Sequence, residues 1–195
     1  DNGSNQGTAW RARVFNDSSW SSGNAILGYG QGAEATVTNS GPAGAHFITS
    51  YYRHTFDVTN PAIYTDLTMT VLRDDGVVVY INGKEVFRNN MPVGSVNFNT
   101  LASSEDESAT PLDAVVNATI SRDFLRKGSN TVAVEIHQSG VNSPDSAFAL
   151  QLDANYTATE LNVFSRGAYL QMITPTSAIV RWDTINKSDS VVRFG

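Results

Sequence analysis

The chain contains no cysteine. That removes thiol nucleophiles, thiolate zinc sites, iron–sulfur clusters and any disulfide framework. Positive charge is short as well: 13 Lys and Arg stand against 19 Asp and Glu, for a net charge of −6. A basic nucleic-acid footprint is therefore missing, and an anionic membrane surface is a poor partner. No apolar run approaches the roughly 18 residues that a bilayer span requires. The three histidines, His46, His54 and His137, are isolated from one another, and a Gly-x-Ser-x-Gly elbow does not occur. Asp1 to Gly7 has neither the basic nor the apolar stretch of a leader, so we expect a signal peptide already removed or a start inside a longer protein. Abundant Asn, Ser, Thr and Gly with scarce Lys lead us to expect a secreted protein.

What is present is a β pattern. Apolar residues make up 41% of the 195 positions, enough for a packed core. Leu67, Met69 and Val71 alternate with Thr68 and Thr70, the period of a strand with one buried face. Phe148, Leu150 and Leu152 repeat the pattern. Val77 to Ile81 is continuously apolar and mostly β-branched, which predicts a strand covered on both faces. Asn82-Gly83 follows it, and both residues accept positive φ, so residues 74–88 read as a tight hairpin. Helix signals are sparse: Ser121 to Lys127 before Gly128 predicts one helical turn. The segments 28–44 and 99–112 read as long loops.

We expect an all-β jelly-roll β-sandwich over residues 1–158, followed over 159–195 by part of a second β-sandwich. The second unit contains about three strand patterns, in which Trp182 is expected in the core; three strands do not close a sandwich.

Six blocks carry a resemblance to a known module. They are Phe15-Asn-Asp-Ser-Ser-Trp20, Leu27-Gly-Tyr-Gly30, Tyr52-Arg-His-Thr-Phe56, Asp74 to Val86, Arg88-Asn-Asn-Met-Pro92 and Gly128 to Gln138. In that order they resemble the galactose-binding-domain-like jelly roll, a carbohydrate-binding accessory module of secreted bacterial hydrolases. The Asp-Asp-Gly block by itself also resembles the PA14 lectin-type module. Gly167 to Gln171, Thr174 to Trp182 and Ser190 to Gly195 look like the start of the fibronectin-III-like N-terminal domain of purple acid phosphatases. The combined resemblance implies an accessory module of a secreted metallophosphoesterase, with that phosphatase domain as its covalent partner. The phosphatase metal motifs, Gly-Asp, Asp-x-His and Gly-Asn-His, do not occur here, so we expect the chain itself to be non-catalytic.

Two chemistries remain for a site. Asp74 and Asp75 are adjacent carboxylates at a strand end, two of the oxygen ligands that calcium wants; equally, Asp-Gly makes a turn with both carboxylates facing water. The PA14 resemblance implies Ca2+ held by such a pair. A saccharide needs a flat ring against its apolar face and polar groups that orient its hydroxyls. Trp20 and Tyr29 have the most loop-like surroundings among the aromatics, and Arg88 and Asn90 supply hydroxyl readers at a strand end. Each also has a plain structural reading, as a core ring or a solvated strand end. We therefore expect a polysaccharide or glycan partner read by Trp20, Tyr29, Arg88 and Asn90. The alternative is an interaction module that packs on the phosphatase domain and binds no sugar. Arg53 and His54 are expected to pair across strands with a carboxylate.

Overall fold

The computed structural model describes residues 3–105 and 115–156, together with the backbone of two further strands, Phe164–Gln171 and Ile179–Thr184. Nine strands lie in the first part: β1 (Leu27–Tyr29), β2 (Thr36–Val37), β3 (Thr49–Val58), β4 (Asp66–Asp74), β5 (Gly76–Ile81), β6 (Lys84–Asn89), β7 (Val115–Ser121), β8 (Gly128–His137) and β9 (Ser146–Asn155). They form a five-stranded sheet in the order β2-β1-β9-β4-β7 and a four-stranded sheet in the order β3-β8-β5-β6. The chain is all-β, with the two sheets arranged as a sandwich. Phe164–Gln171 (β10) and Ile179–Thr184 (β11) pair antiparallel with each other as a separate ribbon. Among the described residues, no helix is long and apolar enough to cross a membrane.

The core between the sheets is built by the expected alternation. Leu67, Met69 and Val71 of β4, with Phe148 of β9, meet Val77, Val79 and Ile81 of β5 and Val132, Val134 and Ile136 of β8. Fully burying an aliphatic side chain of this kind stabilises the fold by about 1.5–3 kcal/mol. The other face of β5 is buried too. Val78 and Tyr80, with Ala133 of β8, pack under Trp10, Met91 and Ala102. The four-stranded sheet therefore has two apolar faces, which is why Val77 to Ile81 shows no alternation. Its outer cover is the N-terminal segment together with the stretch that follows β6.

Asn82 and Gly83 adopt φ of 52° and 85° and turn the chain from β5 into β6. The turn near Ser121 is a short 3-10 segment, Arg122–Phe124, capped by the Ser121 hydroxyl, which accepts from Asp123 N–H at 3.1 Å. The segment 28–44 is not one long loop. It contributes the end of β1 and all of β2, a parallel pair, and β1 also runs antiparallel to β9. These strands are only three and two residues long, too short to show a period. Most of the acidic part of 99–112, and the Trp182 side chain, lie outside the described residues.

Candidate functional site

Two places on the sandwich concentrate unusual chemistry. The first is a cleft of about 520 Å³ lined by the loop Ser19 to Gly23, by Thr36 to Asn39 around β2, and by Ser50, Tyr51 and Tyr52 of β3. Its loop is shaped locally. Asn16 Oδ1 accepts from Ser18 N–H at 3.1 Å, and Asp17 C=O accepts from Trp20 N–H at 2.9 Å, a tight turn that delivers Trp20 to the wall. The Trp20 ring is half-buried and meets Phe15 edge-on at 5.8 Å. Tyr52 stacks on Phe148 at 4.5 Å.

The cleft wall holds polar atoms without partners. The buried hydroxyls of Tyr52 and Thr38 make no hydrogen bond of proper geometry. Burial pushes the Tyr52 phenol up to about 12, with the neighbouring Thr38 and Ser50 hydroxyls opposing it. Burial, then the charge of Glu135, pushes Tyr51 up to about 12 as well. An aromatic face beside a rim of Ser, Thr, Asn and Gln side chains suits a neutral, hydroxyl-rich ligand.

The second place is the end of the sandwich where β4 turns into β5. Asp74 and Asp75 do not face water; each is 2% exposed. Ser139 N–H donates to Asp75 Oδ2 at 2.7 Å, and Arg73 Nη1 and Asn90 Nδ2 donate to the Asp75 carbonyl at 2.7 and 3.0 Å. Gln31 Nε2 donates to both Asp74 Oδ2 and Asp145 Oδ2, at 2.8 and 2.9 Å. Gln138 Nε2 donates to the Tyr29 hydroxyl and to the Asp145 carbonyl, both at 3.0 Å. Burial pushes the Asp74 carboxyl up to about 7; the Gln31 donor works against that, and the charges of Asp145 and Asp75 add to it. Tyr29 rises to about 12 from burial and from the charges of Asp145 and Asp74.

Tyr29, Asp74, Asp75 and Asn90 therefore fall in one hydrogen-bonded neighbourhood, while Trp20 lines the separate cleft. Arg88 joins neither. Its guanidinium is held by Glu85 Oε1 and Oε2 at 2.8 Å and reaches the carbonyls of Pro92 and Gly94 at 2.5 and 3.0 Å. Arg53 does not pair across strands; it bonds Asp17 of the N-terminal segment. His54 is exposed. Residue patterns left Gln31, Thr38, Gln138 and Asp145 unmarked. Their only signal is position: each sits in a short connection beside a strand end, and such ends converge at one edge of a sandwich.

The donor set at Asp74 tests the calcium expectation. Among the described residues, no three acidic or histidine side chains stand gathered as a ready metal cage. Yet Asp74 Oδ1, Gln138 Oε1 and Ser139 Oγ are buried oxygens without partners beside two more carboxylates. An all-oxygen set of this kind suits a hard cation such as Ca2+ and no soft metal.

No protein-family model matches the chain, and no curated protein matches it. Solved structures do share its shape in part. A β-glucuronidase 2 of Bacteroides uniformis aligns at a TM-score of 0.46 and 16% identity, over 76% of this chain and 16% of that one. Another Bacteroides uniformis β-glucuronidase aligns at 0.44 and 14% identity, over 90% and 20%. A β-glycosidase of Bacteroides vulgatus aligns at 0.36 and 16% identity, over 94% and 23%. The chain thus spans less than a quarter of each of these proteins.

Proposed function

We propose that residues 1–158 are a non-catalytic carbohydrate-binding module of the galactose-binding-like type, and that the cleft beside Trp20 holds the saccharide. The observation that carries this reading is the Trp20 ring sharing one cleft with the buried hydroxyls of Thr38 and Tyr52, which make no hydrogen bond of proper geometry. A pyranose would lay its apolar face on the indole and complete those hydroxyls with its own. Calcium belongs to the same reading, at Asp74 and Asp75, where it would fix the loops at that end of the sandwich. The resemblance of 167–195 to purple acid phosphatases supports a secreted metallophosphoesterase as the parent chain. The module's work there is tethering: it holds the phosphatase near polysaccharide or glycan and raises the local substrate concentration.

Affinity electrophoresis of the chain through gels cast with single polysaccharides tests the reading. The chain is expected to be retarded by at least one of them, and Trp20→Ala to abolish that retardation while lowering the melting temperature by only about 2–4 °C. Free migration through a broad panel of plant, algal and bacterial polysaccharides would sink it, and so would equal retardation of the Trp20→Ala chain.

A further inference from the structure

The cleft beside Trp20 lies between β2, at one edge of the five-stranded sheet, and β3, at one edge of the four-stranded sheet. Among the described residues, no side chain that lines it is charged. Two cations stand in the elements behind its walls, and both are engaged elsewhere. Arg53, next to Tyr52 on β3, is bonded to Asp17 and to the carbonyls of Trp10 and Ala12. Arg11 donates to Glu135 Oε1 at 3.2 Å and lies 4.2 Å from the Tyr80 ring centre. What stands behind the cleft is an anion. Glu135 of β8, 1% exposed, is the direct ladder partner of Tyr51, and opposite residues of an antiparallel pair share a face of the sheet. Burial works against its charge, but His137 at 3.7 Å, the Tyr80 hydroxyl at 2.6 Å and Arg11 outweigh it and hold the carboxyl below its ordinary value. Its field reaches the cleft wall: after burial, Glu135 is the strongest influence holding the Tyr51 phenol protonated, and Arg11 opposes it by less.

We propose that the cleft selects uncharged glycan chains over acidic ones, and that Glu135, buried behind Tyr51, is a specificity-determining residue in that selection. The inference rests on the saccharide reading of the cleft and narrows its ligand class. A uronate or sulfate entering here gives up water and gains no cationic partner, which a desolvated anion requires. It also meets the negative field that keeps the neighbouring phenol protonated. A sugar hydroxyl carries no charge and incurs neither cost. Discrimination of this kind is built from repulsion as much as from attraction. The net charge of −6 adds a long-range repulsion of polyanions that salt screens, while the part exerted by buried Glu135 is screened much less. Neutral glucans, mannans and galactans are therefore the ligand class, and polyuronates and sulfated polysaccharides are excluded.

Titration calorimetry of the whole chain at physiological salt tests this with matched polymers. A soluble neutral glucan, mannan and galactan are each compared with a form whose primary hydroxyls have been oxidised to carboxylates, and with the methyl ester of that oxidised form. The ester removes the charge without restoring the hydroxyl. Expected is binding of at least one neutral polymer, binding of its oxidised form about tenfold weaker or worse, and recovery on the ester. Glu135→Gln should narrow the gap between neutral and oxidised polymer severalfold. Ser21→Lys puts a cation on the exposed rim beside Trp20, and it should also raise affinity for the oxidised polymer, so the charge argument stays testable if the buried Glu135 change prevents folding. Equal affinity for neutral and oxidised polymer, with Trp20→Ala losing both, would overturn the selection and leave the saccharide reading standing. An ester bound as poorly as the acid would overturn charge as the cause. An undiminished gap in a folded Glu135→Gln chain would overturn the role of Glu135. Binding of no polymer in any form would overturn the saccharide reading and this inference with it.

Discussion

Arg53 bonds Asp17 at 2.8 Å from a position beneath the N-terminal segment, with the Arg53 side chain 2% exposed. The same guanidinium donates to the carbonyls of Trp10 and Ala12 and lies 5.2 Å from the Phe15 ring centre. One cation on β3 thus gathers the segment that covers the outer face of the four-stranded sheet and carries Trp20 to the cleft.

Arg53→Met should therefore loosen the cover before the sandwich. Breaking a charged, largely buried set of hydrogen bonds costs about 2–4 kcal/mol. Hydrogen exchange should quicken first between Trp10 and Trp20, while β4 and β8 stay protected. Arg53→Lys should recover only part of the loss, because an ammonium lacks the planar fork that serves several acceptors at once. Unchanged stability on urea unfolding of Arg53→Met would show that the segment is held by its apolar contacts alone.

The two N-terminal tryptophans should separate cleanly under mutation. Trp10 is fully buried and meets Tyr51 and Tyr80 edge-on at 4.8 and 5.8 Å. Trp10→Ala should cost about 3–5 kcal/mol through the cavity it leaves. Trp20→Ala, at the half-buried cleft wall, should cost about 1 kcal/mol and act on ligand binding instead. Chemical denaturation of both variants distinguishes them; comparable losses would make Trp20 a core ring.

That contrast shows where local pattern stops being informative. The continuous run Val77 to Ile81 and the Asn82-Gly83 turn were legible because strand period and turn chemistry are properties of neighbouring residues. The two-sided burial of β5 was legible for the same reason. Trp20, between Ser19 and Ser21, was legible as the more loop-like ring, but nothing local to Thr8-Ala9-Trp10-Arg11 marked Trp10 as the one that fills the core. The strand-end cluster was half legible: Asp74-Asp75 is a local signal, but Gln31, which lies 43 residues from Asp74 and 114 from Asp145, links carboxylates that no local pattern connects. Arg53 was expected to pair across the sheet, and does not, because a segment laid over the outer face competes for its charge.

Gly28 on β1 should tolerate no side chain. A Cβ there would run into the Ser146 carbonyl and come within 3.1 Å of Ala147 Cα on β9. Gly28→Ala must push β1 off β9, where Gly28 pairs with Ala147. Such overpacking against backbone costs about 2–4 kcal/mol. Tyr29 should move with the strand, out of its buried place beside Asp145 and Asp74, so its titration should fall from about 12 toward the ordinary phenol value, although losing Gln138 works the other way. A Gly28→Ala chain with parental stability and an unmoved Tyr29 would mean that β1 is free to shift.

Alkaline titration should reveal late-ionising phenols. Tyr29, Tyr51 and Tyr52 are pushed up to about 12, and Tyr80 still higher, by burial and then by its 2.6 Å hydrogen bond to Glu135. A phenol with a raised folded-state pKa binds its proton more tightly folded than unfolded. Its contribution to stability is complete below the unfolded value near 10 and is lost as pH climbs through the folded one. The melting temperature should therefore hold up to about pH 9–10 and then fall steadily toward 12, with unfolding releasing the phenolate absorbance of these four rings together. Tyr80→Phe should make that descent shallower, because its ring no longer ionises on unfolding. Ionisation of all four near pH 10, ahead of any unfolding, would place these rings in water, and a cleft walled by Tyr51 and Tyr52 requires that they are not.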